Sequence, residues 1–238
     1  MIILSVDSAT PVAAVAVCQD GVILAEEMLN VGNTHSVQLM PMIADVLAKS
    51  GIKIKEVDAV AVSQGPGSFT GLRIGMATAK GLAQGAGIKL ITVPTLDSLA
   101  ENLWGLSGLV CPILNAKKNE VYSAVYRFNG ENAERLSEYL AIAPADLIKE
   151  LGKNSENIYF LGDGVPVYRE MLAEKLGERA RFVKADKMLN SGSALAILGY
   201  EKALKGEFAE LYTAEPIYIR KCEAQIRWEA AHPGECAL

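Results

Sequence analysis

The sequence predicts an α/β protein built as two lobes, each a mixed sheet flanked by helices. Three observations carry that reading. Strand-like runs rich in Val and Ile alternate with longer segments of helical periodicity. The chain opens with three such runs in succession, separated by turn signals, before strand–helix alternation begins. The same order starts again near residue 105, so an internal structural duplication is expected from order alone, the two halves sharing little sequence identity.

The opening runs cover 2–6, 12–17 and 22–28. The stretch Ser8 to Pro11 breaks the first pair, and Asp20-Gly21 reads as a tight hairpin turn between the second pair. A helix is expected from about 34 to 49, with Asn33 or Thr34 as N-cap, Gly51 as the stop and Pro41 as an internal kink. A strand at 57–63, a glycine-rich loop, a helix to about 86, a strand at 89–93 and a helix over 95–104 complete the first block. The second block places strands at 109–114 and 121–128 and a weaker one near 136–140. A helix at 144–151, a strand at 158–161, the turn Gly162-Asp163-Gly164, a helix near 167–176, a strand at 181–183 and a helix near 193–205 follow. The expected division is therefore 1–104 and 105–205. Residues 206–230 are expected to pack back on the first lobe, and 231–238 form a frayed tail.

Composition narrows the function classes. With 238 residues, 50% hydrophobic and 21% charged, the chain can bury a sizeable core and shows no sign of disorder. A net charge of -5 does not steer a protein onto phosphate backbones, and no Lys/Arg cluster with interleaved aromatics exists beyond local pairs such as Lys117-Lys118. Cys18, Cys111, Cys222 and Cys236 form no Cys-x-x-Cys pair, which removes zinc and thioredoxin-like readings and fits a reducing compartment. The N-terminus lacks the features of a signal peptide, and no apolar run reaches membrane-spanning length, so a cytoplasmic protein without a membrane partner is expected.

The run Gly65-Pro66-Gly67-Ser68-Phe69-Thr70-Gly71-Leu72-Arg73-Ile74-Gly75 joins a buried strand to a helix. Glycine lets backbone amides approach a ligand or another chain segment, and a helix N-terminus favours an anion. The run lacks the Gly-Lys-Ser/Thr end of a Walker motif and is not a Rossmann fingerprint. Spacing alone leaves an anion cradle and a ligand-free turn equally open. In the following helix Gly71, Gly75, Ala79 and Ala83 recur every four residues. Interior glycine costs about 1 kcal/mol relative to alanine, so the stripe has a close-packing purpose, and a partner-helix seam is favoured over internal packing.

Asp7-Ser8-Ala9-Thr10 occupies the turn where two-lobed phosphotransferases of the actin/hexokinase/Hsp70 arrangement hold a metal-bound phosphate, although an ordinary Asx turn explains it as well. Its counterpart in the second block, Asn115, carries no charge, and a single carboxylate is a poor metal or acid–base site. Only His35 and His232 exist, so a His-based metal site or a Ser-His-Asp triad is unsupported, and His35 reads as a capping or surface residue. Asp97 and Glu101 share a helix face that reads as solvated.

Taken together, these residues resemble the TsaB (YeaZ) family. The likeness rests on Asp7-Ser8-Ala9-Thr10, His35-Ser36 through Pro41-Met42-Ile43, the glycine run 65–75, Pro94-Thr95-Leu96, Glu120-Val121-Tyr122 and Pro216-Ile217-Tyr218-Ile219-Arg220. It spans nearly the whole chain and is densest in the first hundred residues. The resemblance implies an ASKHA fold of two duplicated RNase H-like lobes. It implies a non-catalytic subunit that supports TsaD in forming N6-threonylcarbamoyladenosine beside the anticodon of tRNAs reading codons that start with A, with the ATPase TsaE joining the pair. TsaD carries a His-x-x-x-His metal pair where this chain has Thr95 and Leu99. The family's usual Asp-Ala-Arg before Glu-Val-Tyr reads Asn115-Ala116-Lys117-Lys118 here.

The resemblance also implies where partners bind. The two helices near 35–49 and 70–86 are expected to form the TsaD contact, or a homodimer contact without TsaD. The contact residues are His35, Leu39, Met40, Ile43 and Leu47 on the first, and Gly71, Leu72, Gly75, Met76, Ala79 and Ala83 on the second. Candidates for nucleotide binding are Asp7, Ser8, Thr10, Gly65, Gly67, Ser68 and Arg73. No metal or tightly bound cofactor is expected, ATP or ADP is expected only in the assembled complex, and tRNA is met only through that complex. The alternative is an autonomous enzyme on the same fold, an ATP-dependent phosphotransferase or a glycoprotease-like metallopeptidase.

Overall fold

The structure, a computed structural model, describes residues 1–30, 35–130, 133–153 and 155–220, together with Trp228 and His232. The expected N-cap at Asn33 or Thr34, Cys222, Cys236 and nearly all of the expected tail lie outside the described residues.

Strands β1 (Ile2–Asp7), β2 (Ala13–Gln19) and β3 (Val22–Leu29) form the expected meander. Asp20 and Gly21 both take left-handed φ, 51° and 81°, the backbone a two-residue hairpin needs. Helix α1 (His35–Ser50) runs through Pro41 as one element. β4 (Ala59–Gly65), α2 (Phe69–Ala86) and β5 (Lys89–Pro94) follow. α2 is capped at both ends: the Ser68 side chain accepts from the Gly71 amide, and Gly87 closes the helix at φ 70°. The strand order is β3-β2-β1-β4-β5, antiparallel from β3 to β1 and parallel from β1 to β5.

α3 (Thr95–Glu101) leads to the second sheet: β6 (Ser107–Lys117), β7 (Glu120–Ser123), β8 (Tyr126–Asn129), β9 (Ala133–Arg135) and β10 (Leu140–Ile142). The weak strand expected near 136–140 falls mostly in the link between β9 and β10. α4 (Pro144–Leu151), β11 (Ile158–Leu161), α5 (Val165–Leu176), β12 (Ala180–Phe182), the short α6 (Ala185–Met188) and α7 (Gly192–Leu204) complete the chain of regular elements. The order β10-β7-β6-β11-β12 repeats that of the first sheet, with the same change from antiparallel to parallel at the central strand. The duplication expected from element order is present in strand topology.

The division at residues 104/105 and 205 needs correction, because the last helix of each block packs on the other block's sheet. Leu96, Leu99 and Ala100 of α3 bury themselves with Val110, Leu114, Tyr126, Phe128 and Leu161 of the second lobe. Leu195, Ala196 and Ala203 of α7 bury themselves with Ile3, Ala16, Ala61, Ile91 and Val93 of the first. Glycine permits the latter approach: a Cβ at Gly199 would stand 2.6 Å from that of Ala61. Helical periodicity says that a face is buried, not which sheet buries it. After α7, Ala209, Leu211 and Ala214 pack on the core of the first lobe.

Candidate functional site

The C-terminal ends of β1 and β4 carry the residues of interest. Asp7 ends β1 in full burial. One carboxylate oxygen accepts the Ala9 amide at 2.9 Å, and the other accepts Asn190 Nδ2 at 3.2 Å. Burial pushes its pKa up, against the pull of the Ala9 amide and Asn190 toward the anion. Asn190 immediately precedes the N-cap of α7, so Asp7 is tied to the segment that enters the exchanged helix.

The turn 7–10 and the glycine run lock onto each other. The Ser8 hydroxyl donates to the Gly71 carbonyl at 2.8 Å, and the Ser68 amide donates to the Ala9 carbonyl at 2.7 Å. A Cβ at Gly67 would come within 2.3 Å of the Ala9 oxygen, one at Gly71 within 2.0 Å of the Ser8 oxygen, and one at Gly75 within 2.5 Å of Ser8 Oγ. These glycines let the chain approach its own backbone. His35 is buried, and its Nε2–H donates to the Thr10 carbonyl at 2.8 Å, which fixes the start of α1 on the same turn. Thr10 Oγ1 accepts the Val12 amide at 3.2 Å. The Gly65 amide donates to Thr95 Oγ1 at 3.0 Å. Of the seven nucleotide-binding candidates, Asp7, Ser8, Thr10, Gly65, Gly67 and Ser68 make contacts inside the turn–loop junction. Arg73 lies apart on the surface, its guanidinium 3.9 Å over the Phe69 ring.

The small-residue stripe is corrected by the same contacts. Gly71, Leu72, Gly75, Met76, Ala79 and Ala83 are the buried side of α2, and His35, Leu39 and Ile43 are on the buried side of α1. Leu47 packs on the same core, and only Met40 of the eleven residues points outward. The four-residue spacing reports α2 lying on the turn 7–10 and on the sheet. The outward sides of the two helices carry a different set. Val37 (67% exposed), Met40 (50%) and Ala44 lie along α1, and Ala77, Gly81 and Gly85 along α2. A Cβ at Gly81 or Gly85 would meet nothing within 4 Å. Both helices cover one face of the first sheet, so these small and apolar residues lie on the outward side of the same layer.

The second lobe repeats the turn with other groups. The Asn115 amide donates to Asp163 Oδ1 at 2.9 Å, and burial raises the Asp163 pKa. Lys117, Lys118 and Asn119 all take left-handed φ at the turn between β6 and β7.

Over residues 29–228 the chain matches the family model described as "TsaD: tRNA N6-adenosine threonylcarbamoyltransferase". It is 30% identical to the tRNA threonylcarbamoyladenosine biosynthesis protein TsaB of Escherichia coli over 240 residues, which cover 99% of this chain and 100% of that protein. The chain belongs to the TsaB branch of this family. TsaB of Bacillus subtilis is 29% identical over 228 residues, 96% of this chain and 98% of that protein. A Pseudomonas aeruginosa structure described as similar to peptidase YEAZ superposes with a TM-score of 0.80 at 25% identity, covering 92% of this chain and 99% of that one. The ethanolamine utilization protein EutJ of Carboxydothermus hydrogenoformans shares the fold at a TM-score of 0.50 and 15% identity, over 83% of this chain and 89% of its own. The fold is thus the two-lobed ASKHA arrangement.

Against TsaB and its catalytic relative TsaD, positions 95 and 99 become informative. Thr95 is fully buried and bonded to the glycine loop, and Leu99 is fully buried in the core beneath α3. Both are packing positions in this chain. Among the described residues no group of three or more His, Cys, Asp or Glu is placed to hold a metal. No helix among them is long and apolar enough to cross a membrane. Sequence reasoning missed Asn190 and Asp163. Asn190 is 183 residues from the Asp7 it contacts, and no local pattern signals such a pairing.

Proposed function

We infer that this chain is a non-catalytic subunit in tRNA threonylcarbamoyladenosine biosynthesis that docks a TsaD-type catalytic subunit through the outward face of α1 and α2. The observation that carries the reading is that face. It presents Val37, Met40 and Ala44 beside Ala77, Gly81 and Gly85, where small residues let a partner's helices approach closely. End-to-end similarity to proteins named for this pathway supports the role. The packing positions at Thr95 and Leu99 support a division of labour in which the partner holds the metal. On this reading TsaE joins the assembled pair, ATP or ADP belongs to that assembly, tRNA is reached through it, and the complex works in the cytoplasm.

The test is binding of the TsaD-type subunit from the same source, measured by calorimetry. Ala77→Arg or Gly81→Leu overfills the seam at exposed positions, which at about 1–3 kcal/mol weakens affinity roughly 5- to 150-fold while the fold melts normally. Unchanged affinity in both variants sinks the assignment of this face. Reconstitution of the modification with each component omitted in turn tests the wider role.

A further inference from the structure

We propose that residues 207–220 form a strap that clamps the second lobe to the first, with Arg220 as its locking residue. The strap has almost no regular structure of its own, yet it is tied down along its length. It leaves the end of α7 with the Glu207 amide bonded to the Lys202 carbonyl at 2.9 Å. It rounds the open edge of the first sheet, where the Ala209 amide donates to the Leu90 carbonyl of β5 at 2.8 Å. Lys80 Nζ of α2 then donates to the Tyr212 carbonyl at 3.3 Å, Gln64 Nε2 to the Glu215 carbonyl at 3.0 Å, and the Ile217 amide to the Gln64 carbonyl at 2.7 Å. Gly65 gives it room, since a Cβ there would stand 2.6 Å from the Ile217 oxygen.

Tyr218 anchors the strap on the first lobe. Its ring centre lies 5.1 Å from that of Phe69, and its hydroxyl accepts Arg73 Nε at 3.1 Å. With Arg73 stacked on Phe69, the three side chains form one cation–aromatic cluster at the start of α2. Two residues later the chain crosses to the second lobe. Arg220 Nη1 donates to the Ala116 carbonyl at 3.0 Å and pairs with Glu120 Oε2 at 2.9 Å, both on the β6–β7 hairpin. The side chains are only 23% and 35% exposed, so the pair is less screened than an ordinary surface bridge.

The placement gives the contact its mechanical role. The exchanged helices α3 and α7 join the lobes on the α7 side of the first sheet, away from α1 and α2. A joint on one side alone permits hinge rotation. Arg220 reaches the second lobe from the α2 side and removes that freedom.

The experiment uses the full chain with Cys222→Ser and Cys236→Ser, spin labels at Asp45→Cys on α1 and Glu178→Cys after α5, and distance distributions from electron–electron double resonance. The parent gives one narrow distance. Arg220→Ala at least doubles its width, and so does Tyr218→Ala, which leaves Arg220 and Glu120 in place but frees the strap upstream. Hydrogen exchange in the first sheet stays at the parent level in both, which excludes unfolding as the cause. A broad distance in the parent, or a parent-like width in either variant, overturns the strap.

Discussion

One substitution made at two points of α2 should change stability in opposite directions. At Gly71, alanine puts a Cβ 2.0 Å from the Ser8 carbonyl oxygen, a backbone atom that cannot swing aside. Either the turn 7–10 or the helix must move, and the Ser8 hydroxyl bond to the Gly71 carbonyl at 2.8 Å is strained with it. Overpacking of this kind costs about 1–3 kcal/mol and a lost buried hydrogen bond about 1 kcal/mol. The gain of alanine over glycine inside a helix offsets about 1 kcal/mol. The net loss is about 2 kcal/mol, which for a chain of this length lowers Tm by roughly 4–8 °C. At Gly81 nothing lies within 4 Å of the added methyl group, and the residue is exposed in mid-helix. Only the helix term remains, so Gly81→Ala should raise stability by about 1 kcal/mol and Tm by roughly 2–4 °C. Urea unfolding of both variants beside the parent measures the difference. A neutral or stabilising Gly71→Ala would refute the account of the buried stripe, and a destabilising Gly81→Ala would refute the account of the open one.

Glu101 supplies a pH dependence. Burial, with Glu201 of the facing helix adding like charge, raises its pKa to about 7. The folded state therefore favours the protonated acid, and stability from this group is full below the ordinary carboxylate range near 4.5 and is lost as pH rises to about 7. Glu101→Gln should flatten that loss and be more stable than the parent at pH 8; equal slopes in the two proteins between pH 5 and 8 would remove the argument. Asp97 of α3 accepts the hydroxyls of Tyr126 at 2.6 Å and Tyr139 at 2.8 Å. Tyr126→Phe should cost about 1.5–3 kcal/mol in denaturant unfolding, since the bond is to a carboxylate, and a cost near zero would show that Asp97 does not need it.

How much of this was legible in the sequence depends on whether the signal is local. The hairpin at Asp20-Gly21, the strand–loop–helix around the glycine run and the helix at 144–151 follow from turn chemistry and periodicity, which act over a few residues. The stripe Gly71, Gly75, Ala79 and Ala83 was correctly read as a close-packing surface, but its partner was misplaced. Periodicity cannot distinguish a helix seated on its own sheet from one seated on another protein. A second small-residue series, Ala77, Gly81 and Gly85, ran down the same helix with equal spacing and was the outward one. The large neighbours Leu72 and Met76 were the discriminating signal, because they share the buried side with the glycines. The exchange of α3 and α7 was not legible, since nothing within either helix names the sheet that will cover it. Likewise the predicted solvated face of Asp97 and Glu101 meets Tyr126 and Tyr139 at one end and α7 at the other.

The turn 7–10 links these findings. In a two-lobed phosphotransferase such a turn must keep its polar groups available for phosphate. Here Ser8 and Ala9 engage the loop and first turn of α2, while the Thr10 carbonyl receives His35 from α1. Both helices of the proposed docking face are thus seated on the same four residues. A rigid seat lowers the ordering cost of association, because the two helices already hold their relative position before a partner arrives. The Ser8 hydroxyl, the Ala9 carbonyl and the Thr10 carbonyl all take part in that seat. Asp7 follows the same logic: its bonds to Ala9 and Asn190 connect the turn to the entry of α7, and so connect the docking helices to the joint between the lobes. The close approach of the turn to the loop and helix depends on glycine at 67 and 71, where a Cβ would stand 2.3 Å and 2.0 Å from backbone oxygens of Ala9 and Ser8.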